Sequence, residues 1–416
     1  MINQNNQGTG SFDAVKIPEF RSLVMGRFCF VMALRMMTTL LGWWIYNLTN
    51  APFAIGLIGL SEVVPAVSLA LYAGHIIDLS DKQKLLRRGI VLYFTAVMIL
   101  LLLSTKNAAH FFSNHTIAIF IYLIVFCTGI VRAFVGPVFN VILAQVVPKN
   151  TLQNATTWNQ GSYLSASVTG HALGGLLIAV LGNAGTFIVI ASLIAMAFVI
   201  LLSIKPKPPL NERSEKRTWE SVKEGLNFVI KTKEILGALS LDLFAVLFGG
   251  AVAMVPVFAR DILKVGSEGF GILNGASDMG AICSVALLTA SPMRRKQGYK
   301  LLLAVFGFGI CIILFALSKL FILSFIALLL SGMLDGISVV IRGTIMQLKT
   351  PDNMRGRVMS VNSMFINSSN EFGQFESGLA AKILGVVPSV IFGGCMTIAV
   401  VIITWVNAPT LRKMEY

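Results

Sequence analysis

The sequence predicts an all-α integral membrane protein, with twelve transmembrane helices arranged as two pseudo-symmetric six-helix bundles. Three observations lead there. The first is composition: of 416 residues, 56% are hydrophobic and only 12% are charged, against about 25% charged in an ordinary soluble domain. The apolar residues fall in blocks of about 20, enough for a helix to cross a hydrocarbon core about 30 Å thick. These blocks run over 22–48, 53–77, 88–104, 116–145, 154–181, 186–204, 236–260, 268–290, 299–317, 321–348, 358–386 and 388–407. The second is charge placement. With the N-terminus set in the cytoplasm, 24 of the 33 Lys and Arg lie in or beside loops of that side, and only Lys106, Arg260, Lys264 and Lys319 lie in loops of the other. That asymmetry is the positive-inside bias. It places both termini in the cytoplasm of a cell with a plasma (inner) membrane, and it accounts for the net charge of +14 without a nucleic-acid partner. The third is repetition. "GIVRAFVGPVFNVILAQVVPKN" (129–150) aligns with "GMLDGISVVIRGTIMQLKTPDN" (332–353) at a constant spacing of 203, with Gly129 over Gly332, Pro148 over Pro351 and Asn150 over Asn353. Parallel repeats of this kind build transporters whose substrate site lies near the bilayer midplane, between the halves.

In chain order, residues 1–21 form a polar cytoplasmic segment, and no small-residue cleavage site follows span 1, so span 1 is the expected insertion signal. Spans 1 to 6 make the first bundle, 22–204, and Lys205 to Pro209 end span 6. The linker 205–235 is the one long polar segment. Within it, Thr218 to Lys231 has helical spacing with Trp219, Val222, Leu226 and Val229 on one side, the pattern of a helix lying on the membrane surface. Spans 7 to 12 make the second bundle, 236–407, and 408–416 is a cytoplasmic tail. The five cysteines all fall within spans, are odd in number and have no metal-ligand spacing, so they read as small core residues. No metal site and no cofactor is expected. No phosphate-binding P-loop and no nucleophile–base motif occurs, which argues against ATP-driven transport and against a membrane enzyme.

Several short stretches carry mechanism. The loop between spans 2 and 3 reads "GHIIDLSDKQKLLRRG" (74–89) and resembles the loop signature of the major facilitator superfamily, G-x-x-x-D-x-x-x-[RK]-x-x-[RK]. Gly74 and Asp78 fit it; Lys82, Lys84, Arg87 and Arg88 follow slightly out of register. Glycine lets two helices approach, and an aspartate can sit at the positive N-terminal end of a neighbouring helix, so Gly74, Asp78 and Lys82 are expected to belong to a cytoplasmic gate. Span 4 holds Arg132-x-x-x-Gly136, where drug antiporters of that superfamily place Arg-x-x-Gln-Gly linked to proton transfer; here Val135 replaces the Gln. An Arg within a span costs at least roughly 2.5–3.5 kcal/mol on insertion scales, so Arg132 should face a cavity or a carboxylate. Span 5 holds "GHALGG" (170–175), where superfamily exporters carry Gly-Pro-x-x-Gly-Gly. Ala166, Gly170 and Gly174 form a small-residue face expected to pack on span 8, and His171 stands in place of the proline with a titratable ring.

At the same spacing of 203, Gly373 to Gly378 is the second-half copy of that stretch, so "SSNEFGQFESG" (368–378) lies on span 11, in the wall joining the halves. Asn367, Asn370, Glu371, Gln374 and Gly378 are spaced three and four apart and share a helix face. Glu371 is therefore expected between amides. Desolvation favours the neutral form of a carboxylate, which suits a group that takes up and releases a proton. Glu376, about 140° around the helix, is assigned to a different contact. Arg35 on span 1 and Glu62 on span 2 are candidates for an ion pair. Asp278 on span 8 approximates Glu62 in the repeat, allowing one gap. Asp335 and Arg342, seven apart on span 10, share a face, and Asp242 lies toward the cytoplasmic end of span 7. Charges inside spans are functional candidates by default.

"VPVFARDILKVGSEGFGILNGASDMGA" (255–281) and "TPDNMRGRVMSV" (350–361) resemble the branch of the superfamily that contains the enterobactin exporter and the macrolide efflux pumps. The resemblance runs from "EFRSLVMGRF" (19–28) to span 12. It implies proton-coupled export of a small molecule by alternating access, with Arg355 and Arg357 as the second-half gate opposite the loop 2–3 charges. The expected function is thus antiport of a small organic molecule, such as a siderophore or amphipathic drug, against protons, by a monomer in the lipid bilayer. Glu371 leads as proton carrier, with Glu62, Asp278, Arg132 and His171 beside it. Arg35, Trp158, Asn159, Tyr163, Asp335, Phe365, Asn367, Asn370 and Gln374 are the expected cavity residues. A lysophospholipid or lipid transporter and a metal-ion exporter are the alternatives; against the latter, His75, His110, His115 and His171 are scattered along the chain.

Overall fold

The computed structural model describes residues 12–206, 218–290, 295–351 and 354–415, and the described residues contain helices and no strand. A helix stands at each of the twelve expected spans. The first four are α1 (Pro18–Thr49), α2 (Pro52–Leu79), α3 (Lys82–Leu103) and α4 (Asn114–Val146). One helical run, Leu152–Leu201, covers the next two spans, but Gly182 at φ 67° and ψ −173° divides it into α5 (152–181) and α6 (183–201). Only glycine adopts such backbone freely. The surface helix α7 spans Thr218–Lys231. Span 7 is broken: α8 (Lys233–Phe248) stops at Gly249 and Gly250, and the chain continues through Ala251–Met254, Val255–Val257 and a π-helical turn, Phe258–Ile262. Then come α9 (Gly266–Ala290), α10 (Gln297–Leu317), α11 (Phe321–Lys349), α12 (Arg355–Leu384) and α13 (Val386–Asn407). Among the described residues, ten helical stretches are long and apolar enough to cross a membrane. α12 has the length, 30 residues, but it is missing from those ten because Asn370, Glu371, Gln374 and Glu376 make it more polar.

Helices α1 to α6 pack on one another, as do α8 to α13, and the two groups meet chiefly along α2–α12 and α5–α9. Glycines set both seams. A Cβ placed on Gly175 of α5 would lie 2.5 Å from the Gly271 Cα of α9, and one on Gly378 of α12 would lie 2.8 Å from the Gly56 Cα of α2. Gly175 and Gly378 are 203 apart, so the repeat seen in the sequence reappears as two equivalent backbone-to-backbone contacts. The expected assignment of the Gly170–Gly174 face to span 8 needs correction: Gly170 and Gly174 pack on α1, against Met32, Arg35 and Met36, and of these glycines Gly175 makes the close contact to span 8, beside Val168, His171 and Ala172.

The face that carries the start of α1 and the end of α13, the terminal face, differs from the far face. At the far face the halves are joined: Trp43 stacks on Phe270 with ring centroids 5.7 Å apart, and Phe53 meets Phe375 at 6.0 Å. Toward the terminal face, Gly136 of α4, Gly161 of α5 and Gly343 of α11 have no heavy atom within 4 Å of where a Cβ would stand. The open space beside these glycines is here termed the cleft.

Helix α7 lies against α12 and α8. Its Val229 is fully buried, while Leu226 is 38% exposed. The buried stripe includes Gly225, packed on Arg357, rather than Leu226 as the spacing predicts; Trp219 and Val222 carry side chains outside the described residues.

Candidate functional site

Three charged side chains meet at the wall of the cleft. Arg132 of α4 places Nη1 2.5 Å from Glu62 Oε1 of α2 and 2.6 Å from Glu371 Oε1 of α12. Local sequence makes this possible. Glu62 precedes Pro65 and Arg132 precedes Pro137, each inside a helix, where proline removes a backbone hydrogen bond and bends the rod. Gly129, one turn before Arg132, lets α4 close on Glu62 and Pro65. On the other side Gly59 of α2 rests against Gln374 and the Glu371 carbonyl. With both carboxylates ionised the trio has a net charge of −1, and one proton neutralises it. Arg132 is shared, so protonating either carboxylate hands the guanidinium to the other. Glu371 belongs to the second half and Glu62 to the first, so the proton's position decides whether the seam is ion-paired.

Two expectations change here. Arg35 does not pair with Glu62; Arg132 takes that carboxylate, and Arg35 Nη2 donates to the Tyr163 hydroxyl at 2.5 Å. Glu371 is held by Arg132 rather than by amides. Gln374 faces α2 as the spacing predicts, but Asn370 is exposed and donates to the Ile366 carbonyl at 3.0 Å, and the Asn367 side chain lies outside the described residues.

A polar network lies between α1, α5 and α9. His171 Nδ1 is 2.8 Å from Thr39 Oγ1 and accepts from Asn274 Nδ2 at 3.0 Å. The ring proton therefore sits on Nε2, which faces Asp278 Oδ2 at 3.7 Å. Asp278 Oδ2 also accepts from Ser167 Oγ at 2.6 Å. His171 and Asp278, proposed separately from the sequence, are thus one cluster across the α5–α9 seam. Thr39, Asn274 and Ser167 escaped the sequence reading because hydroxyls and amides inside spans are common and carry no charge signal.

A third charged group belongs to the second half alone. Arg342 of α11 is ion-paired with Asp242 of α8, both buried, while Asp335 Oδ1 stands 3.9 Å from Arg342 Nη2. The expected same-face pairing of Asp335 and Arg342 is the weaker of the two contacts. Phe365 packs partly into the core formed by α8, α10, α11 and α13 and is not a free cavity wall.

The first-half wall of the cleft carries Arg27 and Arg35 of α1, Asn140 of α4, and Asn159 and Tyr163 of α5. Arg27 Nη1 donates to Asn159 Oδ1 at 2.8 Å and to Asn140 Oδ1 at 3.2 Å. Trp158 is 38% exposed nearby, with Phe12 at 5.5 Å. Arg27 was missed in the sequence although it lies inside span 1, eight residues from Arg35 and so on nearly the same face.

Ion pairs also mark the two ends. At the far face the Tyr46 hydroxyl donates to Asp261, Arg260 Nε donates to Asp261 Oδ1 at 2.8 Å, and Arg260 reaches Asn47 at 2.9 Å and Asn50 at 2.7 Å. This ties α1 to the π-helical turn after α8. At the terminal face Arg357 pairs with Glu224 of α7. Among the described residues the acid paired with Arg357 comes from α7; of the expected gate charges, Asp78 and Arg355 have side chains outside the described residues. Lys82 is buried at the start of α3, beside Asp81, whose carboxylate accepts from the Gln83 and Lys84 amides at 3.0 and 3.2 Å. The Gly74, Asp78 and Arg355 side-chain positions lie outside the described residues.

Membrane-length helices in two groups, glycine seams between them and a shared intramembrane ion trio define a polytopic helical transporter with the architecture of the major facilitator superfamily. The family model described as "Transmembrane secretion effector" matches residues 9–416, and the chain belongs to that family. Curated relatives include an uncharacterized MFS-type transporter, YfmI, of Bacillus subtilis (strain 168), 21% identical over 84% of this chain and 88% of its own. The enterobactin exporter EntS of Escherichia coli O1:K1 / APEC is 24% identical over 82% of this chain and 80% of its own. Among solved structures, a mutant of the nucleoside transporter NupG superposes with a TM-score of 0.73 at 12% identity, covering 93% of this chain and 99% of that one. The POT family transporter PepTSo gives 0.74 at 11% identity, covering 96% and 99%. At such identity the structures speak to the fold alone. The chain is a multi-pass secondary transporter of the major facilitator superfamily.

Proposed function

We propose that the protein exports a small organic molecule, of the siderophore or amphipathic-drug kind, in exchange for protons, working as a monomer by alternating access. Its setting is the plasma (inner) membrane with both termini in the cytoplasm, the orientation favoured by the Lys and Arg bias. The terminal face is then cytoplasmic, and the cleft receives cargo from the cell. One observation carries the reading: Arg132 is shared between Glu62 of one half and Glu371 of the other, 2.5 and 2.6 Å away. A proton arriving on Glu371 weakens the only ion pair that crosses the α2–α12 seam among the described residues. It leaves Arg132 with Glu62, and the seam is free to move. The relative named as an enterobactin exporter supports cargo of siderophore size and outward direction.

The test is substrate-driven proton movement. Purified protein is reconstituted into liposomes holding a pH-sensitive dye, and siderophores and amphipathic drugs are added one at a time under an imposed pH gradient. Wild-type protein should move protons only with a transported compound present, and Glu371→Gln should not. Equal coupled flux in the variant removes Glu371 as the carrier. Transport with no proton movement removes the antiport reading.

A further inference from the structure

We propose that the cargo is an organic anion, whose oxyanion group (carboxylate, sulfonate or phenolate) is taken by Arg27 and then Arg35 on the wall of the cleft. The inference rests on the transporter reading and names its cargo's charge. Its basis is a difference among intramembrane arginines. Arg132 has two carboxylates and Arg342 has Asp242. Arg27 and Arg35 have no acid within ion-pair distance among the described residues; their partners are Asn140, Asn159 and the Tyr163 hydroxyl, all neutral. Asp278 is close enough to act electrostatically on Arg35 but not in ion-pair contact with it, and its Oδ2 accepts from Ser167 and faces His171; Arg27 has no such neighbour among the described residues.

Guanidinium groups stay charged at every accessible pH. A charge placed inside a membrane protein is costly unless paired or turned to water, and here two stand on one side of α1 held by neutral hydrogen-bond acceptors, with no carboxylate in ion-pair contact among the described residues. They are about two helical turns apart, roughly 12 Å along α1. The Tyr163 ring lies between them, 5.7 Å from each guanidinium carbon. Phe139 lies 5.5 Å from that of Arg27. The planar fork of arginine matches a planar oxyanion through two parallel hydrogen bonds. The rings hold the forks in place and offer an apolar surface to the rest of the cargo. Gly136 and Gly161 on the flanking helices have open space beside them. Arg27 lies nearer the terminal face and would meet the anion first. Arg35, adjoining the helix turn that holds Thr39 of the His171 network, would receive it at depth.

The charge of the cargo can be tested before its identity is known. The probes are four naphthalenes differing in one group: 2-naphthoate, naphthalene-2-sulfonate, uncharged 2-naphthamide and cationic 2-naphthylmethylammonium. Affinity for purified full-length protein is read from the rise in melting temperature with concentration. We expect both anions to bind at least about tenfold more tightly than the amide, and the ammonium to bind weakest. Arg27→Gln and Arg35→Gln should each remove most of that preference, and Arg27→Lys should retain part of it. Equal binding of amide and anions, tightest binding of the ammonium, no anion binding up to about 1 mM, or an unchanged preference in the double Gln variant would each overturn the proposal. The wild-type comparison decides the matter even if a variant fails to fold. The same probes in liposomes separate this proposal from the exporter reading. Proton-linked export of the amide or ammonium alone leaves the exporter standing and removes the anion site. Anion binding without proton-linked movement does the reverse.

Discussion

Arg132 Nη1 and Glu371 Oε1 lie 2.6 Å apart across the boundary between the two halves of the chain, and the same Nη1 reaches Glu62 Oε1 at 2.5 Å. One cation therefore serves two acids on opposite sides of the boundary between the halves. Replacing Arg132 by Met leaves two carboxylates facing each other without their cation. Breaking a buried pair costs about 3–5 kcal/mol; because the Arg132 side chain is 37% exposed, the loss should fall at or below the lower end. Melting temperature should drop in Arg132→Met and recover in a variant that also carries Glu371→Gln. No recovery would mean that the trio does not act as a unit.

The seam glycines predict a change in shape rather than in stability alone. Gly175→Val places a side chain where Gly271 Cα already stands, and the Cβ alone would be 2.5 Å away. The far-face closure should be disfavoured and the two halves should part there. Hydrogen exchange across 44–50 and 258–266 should quicken, and Gly378→Val should do the same through Gly56. Unchanged exchange at those segments in both variants would show that the glycine contacts do not hold the far face closed.

The Asp261 cluster predicts a smaller effect at the same face. Asp261 joins Tyr46 and Arg260, and Arg260 lies 4.0 Å over the Tyr46 ring. Asp261→Asn removes a partly exposed charge, for which about 1 kcal/mol is a reasonable loss. The loss should shrink as salt is raised, because screening weakens exposed pairs. A salt-independent change in melting temperature would assign the effect to packing instead.

The Asp242–Arg342 pair is internal to the second half and predicts a loss of stability. Both residues are buried, at 6% and 5% exposure, so Asp242→Ala strands a guanidinium and should cost about 3–5 kcal/mol. Asp242→Leu combined with Arg342→Met should recover much of it, since a packed apolar pair can replace a buried ion pair. If the single variant melts like the wild type, Asp335 has taken over as partner to Arg342.

The contrast between Arg35 and Arg132 shows where sequence reasoning stopped. Both are visible as charges inside apolar blocks, and both were rightly marked as needing a partner. Which partner each takes was not legible. Glu62 was paired with Arg35 on depth, yet α4 packs on α2 through Gly129 and brings Arg132 there first. Glu371 was legible as an interface acid because the repeat placed it, but its cation came from a helix 239 positions away in the chain. Arg27 was missed although the same default rule applied to it.

The sequence by itself determined that this is a helical membrane protein with a repeated half and cationic loops on one side. Those properties follow from transfer energies and local helical geometry, which depend on each segment's own composition. The order of the spans and the position of the glycine stretches came with them. Only the tertiary structure decided which charges meet: Arg132 with Glu62 and Glu371, Arg342 with Asp242, Arg357 with Glu224, and Arg27 and Arg35 with neutral hydrogen-bond partners rather than an acid in ion-pair contact among the described residues. Pairing between spans is set by which helix faces lie in contact, and that depends on how small residues let backbones approach. A span's own letters do not contain the rotation of its neighbour.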